Sequence, residues 1–328
     1  MYDYGLSVLE QYGLTASSSS RIRGALLCRT EQGPVVVKEF RGSEKKLKRQ
    51  QEILDIICSQ GYRADCFLEN KEGELISRDS DNIPYILQRW YEGRECDTKS
   101  ETDVVRGAGM LAEIHNVMKT APEEVYMQPD LKDVYRRHNQ ELRKIRRFIR
   151  KKGASCQFEK DYLSSVEWFL ERGEEALAML EEAGYERLIN DAREKGRVCH
   201  GEYNQHNILF AGRDTVVTGF DHWSFGIQMS DLYQFMRKIL EKNGWDRKLA
   251  EKMMNAYNAK KEITGDEINY LRVRFIYPDK FWKLSNYYYA HNKAWISGKN
   301  TEKMKAIIRQ RERWDRFGKT FFSGRKEV

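Results

Sequence analysis

The chain has 328 residues, 40% hydrophobic and 33% charged, with a formal net charge of +7. It is long enough to bury the core of two lobes and has the composition of an ordinary globular protein. No apolar run approaches the ~20 residues that span a bilayer, no leader opens the chain, and no nucleic-acid motif accompanies the modest charge. The expectation is therefore a chain made in the cytoplasm, with neither membrane nor nucleic acid as a partner.

In chain order, Ser17-Ser18-Ser19-Ser20 reads as a flexible loop. Residues 21–30 and 35–40 read as strands joined by Glu31-Gln32-Gly33-Pro34, a hairpin signal. Ser43 is placed to cap a helix over 44–60, which Gly61 stops. Residues 67–69 and 74–76 read as a second hairpin about Lys71-Glu72-Gly73, and Pro84 to Trp90 as another strand. The pattern then becomes helical: 102–118, 131–152, 158–181 and 185–195. Short strands near 208–210 and 215–220 interrupt it, and helices resume at 228–242, 246–258, 266–275, 278–296 and 301–321. Strands first and helices after is an α+β pattern. It divides into an N-terminal mixed α/β lobe, 1–93, and a helical C-terminal lobe, 94–328. Arg136 to Lys152 carries nine Lys/Arg against Glu141, which reads as a solvated helix face. Six cysteines without a CxxC pair read as reduced, partly buried thiols.

Several residues have the types and order of a two-lobed nucleotide site, which needs a phosphate loop, a strand Lys, a metal cradle and a base. Lys38 closes the run Val35-Val36-Val37 and is the phosphate lysine. Glu52 and Glu44 on the following helix are the candidates to pair with it. Gly24, flanked by Arg21 and Arg23, is all that stands for a glycine-rich loop. Gln88 and Trp90, at the end of a strand before the helical part, occupy the hinge where a base would bind. The strongest segment is His200-Gly201-Glu202-Tyr203-Asn204-Gln205-His206-Asn207, opening onto Ile208-Leu209-Phe210. A carboxylate after Gly201 would orient and deprotonate an acceptor hydroxyl, and Asn207 would ligate Mg²⁺. Glu202 is one methylene longer than the Asp such a loop calls for. In the phosphotransferase pattern that these residues resemble, the metal-holding acid stands twelve residues before a helix-leading Asp; counted back from Asp231 that position is Gly219, with Asp221 two residues on.

These segments resemble the aminoglycoside/choline-kinase-like phosphotransferases, and within them the CotS-type spore coat proteins of endospore-forming bacteria. His200 to Leu209 and Leu111-Ala112-Glu113-Ile114-His115 carry the wider likeness. Tyr85 to Cys96, Asp231 to Lys238 and Tyr277 to Lys283 carry the closer one. The resemblance implies a bilobal protein-kinase-like fold and a place in the spore coat among coat proteins. With Glu202, Gly219 and the Gly-poor loop, it implies a pseudokinase-like protein with a degraded site, acting through protein contacts. His200, Glu202 and Asn207 are its catalytic remnant. Lys38, Gly24, Gln88, Trp90 and Glu52 are the cofactor side, and Asn207 and Asp221 the metal side. ATP is the expected cofactor, with Mg²⁺ bound weakly or not at all. The alternative is an ATP-dependent phosphotransferase acting on a sugar or amino-alcohol hydroxyl.

Overall fold

The computed structural model describes residues 5–22, 24–182, 184–290 and 298–322. The N-terminal part holds β1 (Ala16–Ile22), β2 (Ala25–Thr30), β3 (Gly33–Glu39), α1 (Glu44–Ser59), β4 (Arg63–Ala64), β5 (Phe67–Leu68), β6 (Ile76–Arg78) and β7 (Pro84–Arg89). After β8 (Arg94–Glu95) come α2 (Glu101–Val117), α3 (Leu131–Lys152), α4 (Gln157–Glu182) and α5 (Tyr185–Glu194). The functional segment spans β9 (Val198–Cys199), β10 (Ile208–Ala211), β11 (Asp214–Val217) and β12 (Ser224–Phe225). The chain closes with α6 (Met229–Lys242), α7 (Arg247–Asn258), α8 (Gly265–Ile276), α9 (Asp279–Ala290) and α10 (Gly298–Phe321). A mixed sheet lobe followed by a helical lobe is the bilobal α+β architecture expected.

The main sheet has strand order β1-β2-β3-β7-β5, with β6 also on β7. Val35 and Val37 of β3 turn into a core with Val8, Leu9, Leu26 and Leu87. Ser43 caps α1 by accepting from the Lys46 N–H. Two expectations fail in this lobe. The four serines are not a loop: Ser18 to Ser20 pair with Leu27 to Arg29 in an exposed edge strand, where backbone bonds suffice without buried side chains. Residues 67–76 are not a hairpin either. β5 and β6 each pair with β7, and Asn70 closes the intervening turn by accepting from the N–H groups of Glu72 and Glu74.

A smaller sheet, β4-β11-β10-β8, joins the two lobes. In it β4 runs parallel to β11, so Arg63 and Ala64 lie beside Val216 and Val217. In the helical lobe, Phe281 of α9 stacks on Phe169 and Tyr162 of α4, so this aromatic-rich helix fills core. Its expected continuation over 291–296 lies outside the described residues. The basic helix α3 is partly neutralised by α4: Arg143 pairs with Glu174, and Arg146 and Arg150 share Glu167. The cysteines are not all free thiols. Cys58, at the end of α1, is joined to Cys66 beside β5 as a disulfide.

Candidate active site

β3, β11 and the His-Gly loop meet where the lobes join. Lys38 Nζ lies 2.5 Å from Asp221 Oδ2. Asp221 stands in a single 3₁₀ turn, Phe220–His222, that opens at Gly219 with φ 82° and ψ 45°. Asn207 is held from three sides. Its backbone N–H donates to Asn204 O, its carbonyl accepts from Thr218 N–H, and its Nδ2 donates to Glu202 O, each at 3.0 Å. A Cβ on Gly219 would stand 2.8 Å from Asn207 Nδ2. The side chain that would bring a metal-holding carboxylate to position 219 therefore has its starting volume filled by the Asn207 carboxamide. The backbone there also lies in the left-handed region that glycine tolerates best. Glu202 is about half exposed, with Oε2 3.6 Å from His222 Nε2.

The loop's own support is buried. His200 is 1% exposed. Its Nδ1 accepts from Glu202 N–H at 3.1 Å, so Nε2 carries the proton and donates to Thr218 O at 3.0 Å. Burial lowers the His200 pKa and keeps the ring neutral. Beneath it, Asp231 is fully buried and accepts three hydrogen bonds. His200 N–H donates at 2.7 Å, Gly201 N–H at 2.9 Å and His115 Nε2 at 3.1 Å. Tyr257 OH completes the chain by donating to His115 Nδ1 at 2.7 Å. Burial opposes the Asp231 charge, but these donors hold its pKa below the usual carboxylate range. Burial pushes His115 down to about 4.

Several sequence-predicted residues stand elsewhere. Glu52 does not reach Lys38: it pairs with Arg49 one turn away on α1, and Glu44 pairs with Lys48. The lysine's acid comes from the other lobe instead. Gln88 is buried, and its Nε2 donates to Asp65 O at 3.0 Å, so its amide ties β7 to the segment after β4. Trp90 is half-buried, and its N–H donates to Pro34 O. Gly24 (φ 82°) lies in the link between paired Ile22 and Ala25, with open space where a Cβ would stand. That link is too short for an extended phosphate loop. Arg23 lies outside the described residues.

Sequence reasoning missed Asp65, the supporting roles of Asp231 and His115, and His222. Asp65 Oδ2 accepts the Gly219 N–H at 2.9 Å, while its Oδ1 is buried with no hydrogen bond. Its pKa is pushed up to about 7, first by burial and then by Asp221, against hydrogen bonding from Gly219. It adds a carboxyl behind residue 219 that no motif announces. The residues do not make a good Mg²⁺ cradle. The ion wants one or two free carboxylates in octahedral geometry, whereas Asp221 is committed to Lys38 and position 219 offers none. Among the described residues no group of three His, Cys, Asp or Glu gathers to hold a metal.

The family described as "Spore coat putative kinase YutH" matches residues 6–321. The chain belongs to this spore coat family. Spore coat protein S of Bacillus subtilis (strain 168) is 22% identical over 162 residues, 49% of this chain and 46% of that protein. The chain thus spans under half the length of that curated relative. Among solved structures, an aminoglycoside phosphotransferase from Alicyclobacillus acidocaldarius superposes with TM-score 0.86 at 18% identity, covering 96% of this chain and 94% of that one. A spectinomycin phosphotransferase in complex with ADP and spectinomycin gives 0.65 at 12% identity, over 96% of each chain. A choline kinase from Streptococcus pneumoniae gives 0.51 at 13%, over 94% of this chain and 96% of that one. The fold is that of these kinase-like phosphotransferases, and the family places the chain in the spore coat. No helix among the described residues is long and apolar enough to cross a membrane.

Proposed function

We propose that this chain is a kinase-like spore coat protein whose phosphotransferase site is degraded, and that it acts through contacts with coat proteins and a bound ligand. The observation that carries this reading is position 219. A glycine stands where the metal-holding acid is needed, in a left-handed conformation, with the Asn207 carboxamide in the way of any side chain. The lengthened base Glu202 and the short β1–β2 link support it. The lobes would part near Gly93, where a Cβ would stand 2.9 Å from Phe210 O. Lys38 would be the anchor of a nucleotide phosphate, bound without help from Mg²⁺. The neighbours crystallised with ADP and with AMP-PNP support ATP as the nucleotide.

One observation favours the alternative, ATP-dependent transfer to a sugar or amino-alcohol hydroxyl with Glu202 as base. Asp221 holds a carboxylate beside the phosphate lysine, two residues from the vacant position. Thermal-shift measurements with ATP, GTP and Mg²⁺, singly and together, separate the two. The degraded site predicts a nucleotide shift that is independent of Mg²⁺ and lost in Lys38→Ala. Phosphoryl transfer to any hydroxyl compound at the ~1–10³ per second of ordinary enzymes, abolished in Glu202→Ala, would establish the alternative.

A further inference from the structure

Beside the small sheet that joins the lobes lies an open cleft of about 540 Å³. That is within the ~300–1,000 Å³ of ordinary small-molecule sites. Arg63 of β4 and Asp214 and Thr215 of β11 form one wall, and α2 and α7 form the other. The floor is apolar and made of small residues. Gly109 of α2 and Ala256 of α7 both line it, and a Cβ on Gly109 would stand 3.6 Å from Ala256 O, so the two helices touch there. Tyr62 and Met110 add larger apolar surface. Lys38, Glu202, Asn207 and Asp221 are not among the lining residues, so the cleft is separate from the interlobe site.

The charges in this cleft do not balance. Arg63, Arg106, Arg213 and Lys260 line it against two acids, Glu113 and Asp214. Both acids are already matched: Arg63 pairs with Asp214 at 2.8 Å and Lys260 with Glu113 at 2.9 Å. Arg106 and Arg213 have no acid partner among the described residues. They are direct neighbours, because Arg106 Nη2 donates to Arg213 O at 2.6 Å. The Arg106 guanidinium also lies over the Phe210 ring, 4.8 Å from its centroid. Stacking and that hydrogen bond fix its plane. A guanidinium fork held in one plane matches the two oxygens of a phosphate or carboxylate. Arginines scattered singly on a surface are simply hydrated, but these two line one cavity with an apolar floor. An inorganic ion would leave that floor uncovered, and a neutral apolar molecule would leave the arginines unmatched.

We propose that this cleft is a second binding site, for a small organic dianion. Its phosphate or paired carboxylates sit on Arg106 and Arg213, and its apolar body covers Gly109 and Ala256. The site goes beyond the interlobe reading given above and does not depend on it.

Isothermal titration of the full chain tests it, with phenyl phosphate and phthalate as probes and inorganic phosphate, phenol and poly-glutamate as comparisons. At least one probe should bind at millimolar concentration or tighter, and the tighter of the two tells phosphate from carboxylate. Inorganic phosphate should bind more weakly than that probe, and phenol should give no heat. Arg106→Gln and Arg213→Gln, both at exposed positions, should each weaken binding by about tenfold, the effect of losing one charge-assisted contact. Lys144→Gln removes one exposed charge from α3 instead and should change nothing. Ala259→Trp keeps both arginines but fills the cleft from its exposed rim, and should abolish binding. Melting curves report the folding of each variant, and the two glutamine substitutions decide the matter if Ala259→Trp does not fold. Lys38→Ala should leave probe binding intact while removing the ATP shift, so failure of the nucleotide reading and failure of this one are told apart. No binding of either probe overturns the proposal. So does inorganic phosphate or phenol binding as well as the probes, an equal loss in Lys144→Gln, or indifference to both glutamine substitutions. Tighter binding of poly-glutamate also overturns it, and would assign the cleft to a protein partner.

Discussion

Replacing Asp231 should unfasten the His-Gly loop, and the cost can be worked from its contacts. Its carboxylate is fully buried and accepts from His200 N–H, Gly201 N–H and His115 Nε2 at 2.7–3.1 Å. Asp231→Ala leaves two backbone donors and one imidazole donor without acceptors. A buried donor left unpaired costs about 1–3 kcal/mol, and breaking one side of a buried charged network costs about 3–5 kcal/mol in total. We expect a loss of about 3–5 kcal/mol by urea denaturation and a fall in Tm of roughly 5–10 °C. Asp231→Asn keeps the shape, but its amide nitrogen must face one of the donors, so it should still lose about 2 kcal/mol. Tyr257→Phe removes only the hydroxyl that serves His115 Nδ1 and should cost about 1 kcal/mol. The graded series is the test. If Asp231→Ala and Asp231→Asn each cost under ~1 kcal/mol at an unchanged m-value, the loop does not depend on this carboxylate and the reasoning fails.

Mg²⁺ titrated into nucleotide-bound protein should add little stability. A large Mg²⁺-dependent rise in Tm that Asp221→Ala abolishes would show Asp221 serving as the metal ligand. Gly219→Ala and Gly219→Asp should both lose about 1–3 kcal/mol, because each forces a left-handed residue against Asn207; a neutral Gly219→Ala would refute this. The pH dependence has two opposed parts. His115 is held near 4 in the folded state by burial, against 6.5 ordinarily. The unfolded chain therefore binds more protons below about 6.5, and about 3 kcal/mol of stability drains away as pH falls toward 4. His138, also buried and pushed down to about 4 by burial, adds to the same loss. Asp65, pushed up to about 7 mainly by burial, takes up its proton first in the folded state, so stability grows as pH falls from about 7 toward 4. Asp65→Asn should therefore lose stability toward pH ~5 more steeply than the unmodified chain, and His115→Gln less steeply. Parallel pH curves for all three proteins would contradict the assignment.

The legible features were those written locally. α1 and its Ser43 cap, and the helices from α2 to α8, follow from apolar spacing and capping residues within a few positions of one another. Residues His200 to Asn207 were readable because loop chemistry fixes their types at a short spacing. What escaped was decided at long range. Lys38 and Asp221 are 183 positions apart, and nothing in α1 shows that its acids turn to Arg49 and Lys48 instead. Asp65 lies in a short connection after β4 with no motif around it, and only the parallel pairing of β4 on β11 brings it under Gly219. The four serines have no apolar alternation, yet they form β1 because an edge strand needs only backbone partners on one side. Cys58 and Cys66 carry no redox signature in their spacing, and meet because β4, just before Cys66, packs on α1.

Positions 202, in the His-Gly loop, and 219, before the 3₁₀ turn, are not independent of each other. Asn207 Nδ2 donates to the carbonyl of Glu202, the residue proposed as the lengthened base. The same carboxamide fills the space a side chain at 219 would need. Restoring an acid at 219 therefore pushes Asn207, and through it the backbone of Glu202. Shortening Glu202 alone moves its carboxylate by about a methylene, a displacement that can alter a rate by about 100-fold, but leaves position 219 empty of charge. Groups that act as one unit respond non-additively, and here the coupling has a physical carrier in one amide. The buried support behaves differently. Asp231, His115, Tyr257 and His200 are all out of water, hydrogen-bonded among themselves and to the backbone of Gly201, Glu202 and Thr218. They hold the loop's shape whether or not phosphate is transferred.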